Sequence, residues 1–350
     1  YTLWHTLSLH DALPIWYSDG SALLKTDSDE IRVRNVETFL GVEGTITQAG
    51  IPTWSDQGPG PIKDGQVEVP SDNEVAGAIR SIAVHPFDPD VIYIGSVNGG
   101  IWRSEDGGNT WLALTDQLQS LATGDIALSR LDASGDPLTD DYAGSGLPTP
   151  TSELVLFVGT GNFSSFGKRG GVPVGVYVSQ DGGDSWTLNG AAELGGLPVT
   201  AIVPTEITSG GQQVVLAGAL DKLTLNTSVT GNARFNTDGS RKYNVDKEGG
   251  LFRSDDGGLT WTNLSESPGG APDGPVSDII ADPNDPQAFF AAVIGEGIYR
   301  STDGGVTWNA VAGSIPSITD AMRVELAASD AVDPGTGNNP IYVAAVHTRT

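Results

Sequence analysis

The chain has 350 residues, 38% of them hydrophobic, with 47 glycines, one methionine and no cysteine, a composition of short strands and tight turns rather than helices. Forty-four acidic residues against 18 basic give a net charge of −26, a field that repels nucleic acid and anionic membrane surfaces. Disulfides, iron–sulfur clusters, thiolate zinc sites and a cysteine nucleophile are excluded, and no apolar run approaches the roughly 20 residues that insert across a membrane.

In chain order, residues 1 to 16 (YTLWHTLSLHDALPIW) fit no later pattern. The run Ser8-Leu-His-Asp-Ala-Leu-Pro-Ile15 resembles translated sequencing-adapter read-through, which marks the segment as a non-native leader; a linker or the tail of a preceding domain is the other reading. Residues 17 to 77 are broken by Pro, Gly and Asp and read as an irregular leading segment or part of an earlier sheet. From residue 78 the order is regular. Residues 78 to 85 alternate as a strand, Pro86-Phe-Asp-Pro-Asp90 turns the chain, and residues 91 to 96 form a second strand. The same plan recurs at 276 to 281, a turn at Asp282-Pro-Asn-Asp-Pro286, and 289 to 294. The segments from Met322 to Ala328 and from Ile341 to Val346 open a last, incomplete copy.

An eight-residue phrase recurs four times: Ser104-Glu-Asp-Gly-Gly-Asn-Thr-Trp111, Ser179-Gln-Asp-Gly-Gly-Asp-Ser-Trp186, Ser254-Asp-Asp-Gly-Gly-Leu-Thr-Trp261 and Ser301-Thr-Asp-Gly-Gly-Val-Thr-Trp308. An aromatic stands two residues before each serine, at Trp102, Tyr177, Phe252 and Tyr299. Each phrase reads as a hairpin turn in which the glycines Gly108, Gly183, Gly258 and Gly305 supply positive φ. The carboxylates of Asp106, Asp181, Asp256 and Asp303 then bind backbone N–H groups. The phrase resembles the Asp-box (BNR) repeat of sialidase-like β-propellers, a group that includes sialidases, oligoxyloglucan hydrolases and sortilin-like receptors. That resemblance implies an all-β propeller of four-stranded antiparallel blades, about four and a half of them across residues 78 to 350, in a chain that is a fragment. It also implies structural roles for the serine, aspartate, second glycine and tryptophan of each box. The box aspartates lie 75, 75 and 47 residues apart, so the second and third blades each carry roughly 30 residues beyond a minimal blade.

These insertions are where function is expected, because loops on a rigid scaffold carry it. Residues 131 to 152 hold Asp132, Asp136, Asp140 and Asp141, which offer oxygen ligands to calcium or form an acidic solvated loop; no other cofactor is implied. Gly161 to Gly171 presents Phe163 and Phe166 beside Lys168 and Arg169, which suit a sugar ring and an anionic group, or plug a neighbouring sheet. The segment from Leu220 to Gly249 gathers Lys222, Arg234, Arg241, Lys242 and Lys247, for an anionic ligand or for local charge balance. Arg80, Arg103, Arg253 and Arg300 recur at equivalent strand positions and suit ion pairing. His85 reads as structural, and with His347 makes too few histidines for a metal centre. The sialidase arginine motif is absent. The resulting expectation is a non-catalytic propeller of a secreted or surface protein, binding a glycan or an extracellular protein. The alternative is a glycoside hydrolase acting through paired carboxylates, which Asp221, Asp238 and Asp246 and many other acids could supply.

Overall fold

The computed structural model describes residues 24–25, 31–32, 78–161, 171–225, 243–265, 271, 273–311, 321, 323–331 and 339–346. A two-stranded pair, β1 (Leu24–Lys25) and β2 (Ile31–Arg32), precedes four antiparallel four-stranded sheets. The first sheet is β3 (Ile79–Val84), β4 (Ile92–Ser96), β5 (Gly100–Ser104) and β6 (Leu112–Ala113), and the second is β7 (Thr123–Asp132), β8 (Leu154–Thr160), β9 (Val176–Ser179) and β10 (Thr187–Asn189). In the third, β11 (Val199–Ser209) and β12 (Gln212–Ala219) are followed by an inserted hairpin, β13 (Lys222–Leu225) and β14 (Tyr243–Lys247). The sheet then resumes with β15 (Gly250–Ser254) and β16 (Thr262–Asn263). The fourth is β17 (Val276–Asp282), β18 (Asp285–Val293), β19 (Gly297–Ser301) and β20 (Asn309–Ala310); β21 (Arg323–Ala328) and β22 (Ile341–Val346) pair alone. β18 begins at Asp285, inside the expected Asp282–Pro286 turn, because Asp285 pairs with Asp282.

Each sheet packs on the next, and the core lies in the seams. Tyr93, Ile101, Leu156 and Tyr177 fill the seam between the first and second sheets, and Phe157, Val199, Val215 and Trp261 the second seam. Leu216, Leu251, Phe289 and Trp308 fill the third, and Phe290, Val324 and Leu326 the fourth. A fully buried Leu or Phe contributes about 1.5–3 kcal/mol in such a seam. Sheets approach closely where a glycine faces the neighbour: a Cβ on Gly218 would lie 2.7 Å from Val276 Cγ1, and one on Gly124 only 1.8 Å from the Val199 carbonyl oxygen.

The expected β-propeller is corrected by this arrangement. Four-stranded antiparallel sheets are present, but among the described residues they do not close into a ring of blades. Closure would require the outward side of the first sheet to be covered, and there Ile79, Ile82 and Val84 are 47%, 62% and 49% exposed.

The four octapeptides form hairpin turns of one geometry. In the first, Asp106 Oδ1 accepts from Thr110 N at 2.8 Å and Oδ2 from Thr110 Oγ1 at 2.7 Å. Ser104 Oγ donates to Asp106 Oδ1 and accepts from Gly108 N, each at 2.8 Å. Trp111 Nε1 donates to Gly108 O at 3.0 Å, as Trp261 does to Gly258 O and Trp308 to Gly305 O. Ser179 with Asp181 and Gly183, Ser254 with Asp256, and Ser301 with Asp303 repeat the serine and aspartate bonds. The exception is Trp186, whose Nε1 is buried without a partner. Two of the strand arginines, Arg103 and Arg253, fasten these turns to the adjacent sheet. Arg103 donates to Gly182 O and pairs with Asp184 at 2.9 Å, while Arg253 donates to Gly304 O at 3.3 Å.

Candidate functional site

The first strands of the four-stranded sheets and of the β21–β22 pair share a position at their start, and the third residue is the informative one: Ser81 in β3, Asp125 in β7, Ala201 in β11, Asp278 in β17 and Glu325 in β21. In four of these strands the register with the second strand shifts immediately before that residue, between Ile79 and Ser81, Thr123 and Asp125, Val199 and Ala201, and Val276 and Asp278. Such a bulge re-aims the next side chain. Here it turns the third side chain toward the following sheet. Ser81 Oγ accepts from Ile126 N at 2.8 Å, Asp125 Oδ2 from Ile202 N at 2.9 Å, and Asp278 Oδ2 from Leu326 N at 2.7 Å. Ala201 has no polar atom, and the link there is made by Thr200 Oγ1, which donates to Val276 O at 2.7 Å.

The carboxyl groups of Asp125, Asp278 and Glu325 lie at this end of the seams, close enough for their charges to interact. Each keeps part of its surface open to solvent. Burial is the main force on two of them. It raises Asp125 to about 7 against the opposing hydrogen bonds from Ile202 and Ile126, and the charge of Glu325 adds to the rise. Asp278 is also raised to about 7, first by burial; the Leu326 N–H opposes this, and the charges of Glu325 and Asp125 reinforce it. Asp125 spends both oxygens on backbone donors, with Oδ1 accepting from Ile126 N at 2.9 Å. Asp278 bonds the following sheet through Oδ2. Glu325 lies one residue from that bond and is paired with Arg323 Nε. A carboxyl group protonated near neutrality beside a carboxylate can deliver a proton to a leaving oxygen.

Antiparallel order places the β13–β14 hairpin at this same end, since Val199 at the start of β11 pairs with Ala219 at the end of β12. Lys222 is exposed, sits opposite Lys247 and lies 3.9 Å from Asp246. Lys247 Nζ donates to Ala192 O and Gly195 O at 3.1 Å each, so burial there pulls its ammonium below the ordinary lysine value. Phe163, Phe166, Lys168, Arg169, Arg234, Arg241 and Lys242 lie outside the described residues, as do Asp238, His347 and the 1–16 leader. Asn98 Oδ1 accepts from Gly171 N at 2.8 Å, which ties Gly171 to the β4–β5 turn of the first sheet.

At the other end, residues 133 to 153 connect β7 to β8, within the expected 131 to 152 insertion but for the last. Asp132 Oδ1 accepts from Ser134 N and Asp136 N, both at 2.9 Å, and Asp141 Oδ1 accepts from Gly146 N at 2.6 Å. These carboxylates shape turns. Among the described residues no group of three His, Cys, Asp or Glu side chains is placed to hold a metal ion. No helix among them is long and apolar enough to cross a membrane.

Asp125, Asp278 and Glu325 escaped the sequence reading, which looked for carboxylates in the insertions. The available signal was an acidic residue at the third position of an otherwise apolar strand, as in Val276-Ser-Asp-Ile-Ile280.

No family model matches the chain. Over 128 residues it is 30% identical to an oligoxyloglucan-reducing end-specific xyloglucanase of Emericella nidulans, a stretch covering 37% of this chain and 12% of that protein. The chain thus spans about an eighth of the curated relative it matches. Among solved structures it is similar to the GH74 xyloglucanase from Xanthomonas campestris, with a TM-score of 0.44, 21% identity, and coverage of 79% of this chain and 36% of the other. It is also similar to a GH74 enzyme of Niastella koreensis, with a TM-score of 0.41, 16% identity, and coverage of 66% and 29%. The first of these matches corrects two expectations. The sialidase-like Asp-box assignment gives way to likeness with a xyloglucanase over that 128-residue stretch, and the same match favours the hydrolase alternative over the non-catalytic binding role.

Proposed function

We propose that this chain is part of a glycoside hydrolase that cleaves a neutral glucan of the xyloglucan type, with Asp278 as general acid and Glu325 as the opposing carboxylate. The observation that carries this reading is the placement of Asp278. Its Oδ2 is anchored on Leu326 N, beside Glu325, and its carboxyl group is held protonated to about pH 7. Glycoside hydrolysis needs this division of labour, with one carboxyl group giving its proton to the glycosidic oxygen as the carbon–oxygen bond breaks. The other carboxylate either attacks the anomeric carbon or takes a proton from the water that does. In this reading Glu325, paired with Arg323, takes that second task. Asp125, itself raised to about 7, acts indirectly, adding to the rise of Asp278 as it becomes charged.

The substrate class rests on the name of the Emericella nidulans relative and on charge, because a protein of net charge −26 suits a neutral polymer better than an anionic one. A polysaccharide substrate also suits an extracellular or cell-surface location.

The test is reducing-end release from xyloglucan by the full chain. Asp278→Asn and Glu325→Gln should each cut the rate by about 10²–10⁴-fold, the usual worth of acid–base catalysis. The rate of the parent should fall as pH rises above about 7, where Asp278 loses its proton. Full activity in Asp278→Asn, or no release of reducing ends by a folded parent protein, overturns the assignment.

A further inference from the structure

A second feature lies at the opposite end of the seams, where the first strands finish. Phe87, in the β3–β4 turn, is 44% exposed. It borders a cleft of about 280 Å³ lined by the apolar Leu131, Pro137 and Leu138 and by the exposed Arg130 and Glu206. Three consecutive sheets contribute to it, since Arg130 belongs to β7 and Glu206 to β11.

Phe87 is held in place from below. Buried His85 accepts from Phe87 N at 3.1 Å and Asp88 N at 2.9 Å through Nδ1. Its proton therefore sits on Nε2, which donates to Thr149 O at 3.0 Å in the β7–β8 connection. The imidazole also meets the Phe87 ring edge-on, with centroids 6.4 Å apart. This support fixes an aromatic platform that the apolar core does not consume. In that lining, Arg130 Nε and Glu206 Oε1 stand 3.8 Å apart, and both side chains are more than half exposed. That loose pair keeps N–H donors and carboxylate acceptors available side by side.

We infer that this cleft is a carbohydrate-binding subsite for a neutral pyranose chain, separate from the Asp278 end and able to hold polymer while another part is cleaved. A sugar ring presents an apolar C–H face to an aromatic and vicinal hydroxyls to paired donors and acceptors, the chemistry found at Phe87 and at Arg130 with Glu206. An anionic ligand would have to displace Glu206 and enter against the net charge of −26. The choice of glucan as ligand rests on the proposed function; the site geometry does not.

The experiment is affinity electrophoresis of the full chain through gels containing soluble xyloglucan, run beside an assay of short xyloglucan oligosaccharides. Phe87→Ala and Arg130→Ala should each weaken retardation by about fivefold, the scale of one stacked ring or one charged hydrogen bond. Phe87→Trp should retain it, and turnover of the short oligosaccharides should be unchanged in all three. Both alanine sites are exposed, so thermal melting close to that of the parent confirms folding. Equal retardation of parent and Phe87→Ala overturns the subsite, as does a parent that xyloglucan does not retard. A parent that is retarded through Phe87 yet releases no reducing ends removes the hydrolase reading and leaves the subsite standing.

Discussion

At the scale of single residues, the tightest constraint is the absence of a side chain. Gly124 sits where β7 meets β11, and a methyl group there would overlap the Val199 carbonyl oxygen at 1.8 Å and the Gly161 carbonyl oxygen at 2.6 Å. Backbone atoms of a packed strand have little room to retreat, so Gly124→Ala should lose about 3 kcal/mol, the upper range for overpacking. Urea denaturation measures this, and a midpoint equal to that of the parent would show that the seam yields. Gly135, by contrast, has nothing within 4 Å of its Cβ position, and its demand is φ of +87° alone. The two glycines are alike in sequence and opposite in cause.

At the scale of elements, the carboxyl groups at the third position of the first strands tie one sheet to the next and carry a sign. Asp125 and Asp278 titrate near 7 when folded and near 3.8 when unfolded, so between those values the folded chain holds more protons. Stability should therefore fall as pH rises from about 4 to 7 and level off above. The turn carboxylates behave in the opposite sense. Asp106 is held below its ordinary value chiefly by the Thr110 hydroxyl and N–H, so its contribution is present above pH 3.8 and lost as pH falls below. The melting temperature should peak near pH 4 to 5, and Asp278→Asn should flatten the decline on the neutral side; a decline of unchanged slope in that variant would count against the assignment. The turns were legible in the sequence because Ser, Asp, Gly-Gly and Trp meet within eight residues and all their bonds are local. The site was not. Asp278 acquires its meaning from Leu326, 48 residues away, and from bulges that no local composition announces.

At the scale of the whole molecule, strands and their succession were readable, and the way the sheets join was not. Alternation in residues 78 to 85 and in Ile341–Val346 gives strands directly, whereas a closed ring depends on contacts between the first and last sheets that no segment encodes alone. The net charge of −26 acts on the entire assembly. Self-repulsion of this size opposes compaction, and salt screens it with a Debye length falling from about 10 Å at 0.1 M to 3 Å at 1 M. The melting temperature should rise over that range of sodium chloride at pH 7.5. A fall would mean that ion pairs such as Arg103 with Asp184 outweigh the repulsion.

The octapeptide turns also bear on the order of events in folding. Their serine and aspartate bonds close within four residues, and the tryptophan bond within three. Loop entropy of that size is small, and hairpins form in about 1–10 μs. The bond from Asp125 to Ile202 must bring together groups 77 residues apart. Hairpins bearing finished turns therefore arise early and separately along the chain, and the slow step is their docking in sequence, each seam waiting for a glycine to meet the strand it was shaped to receive.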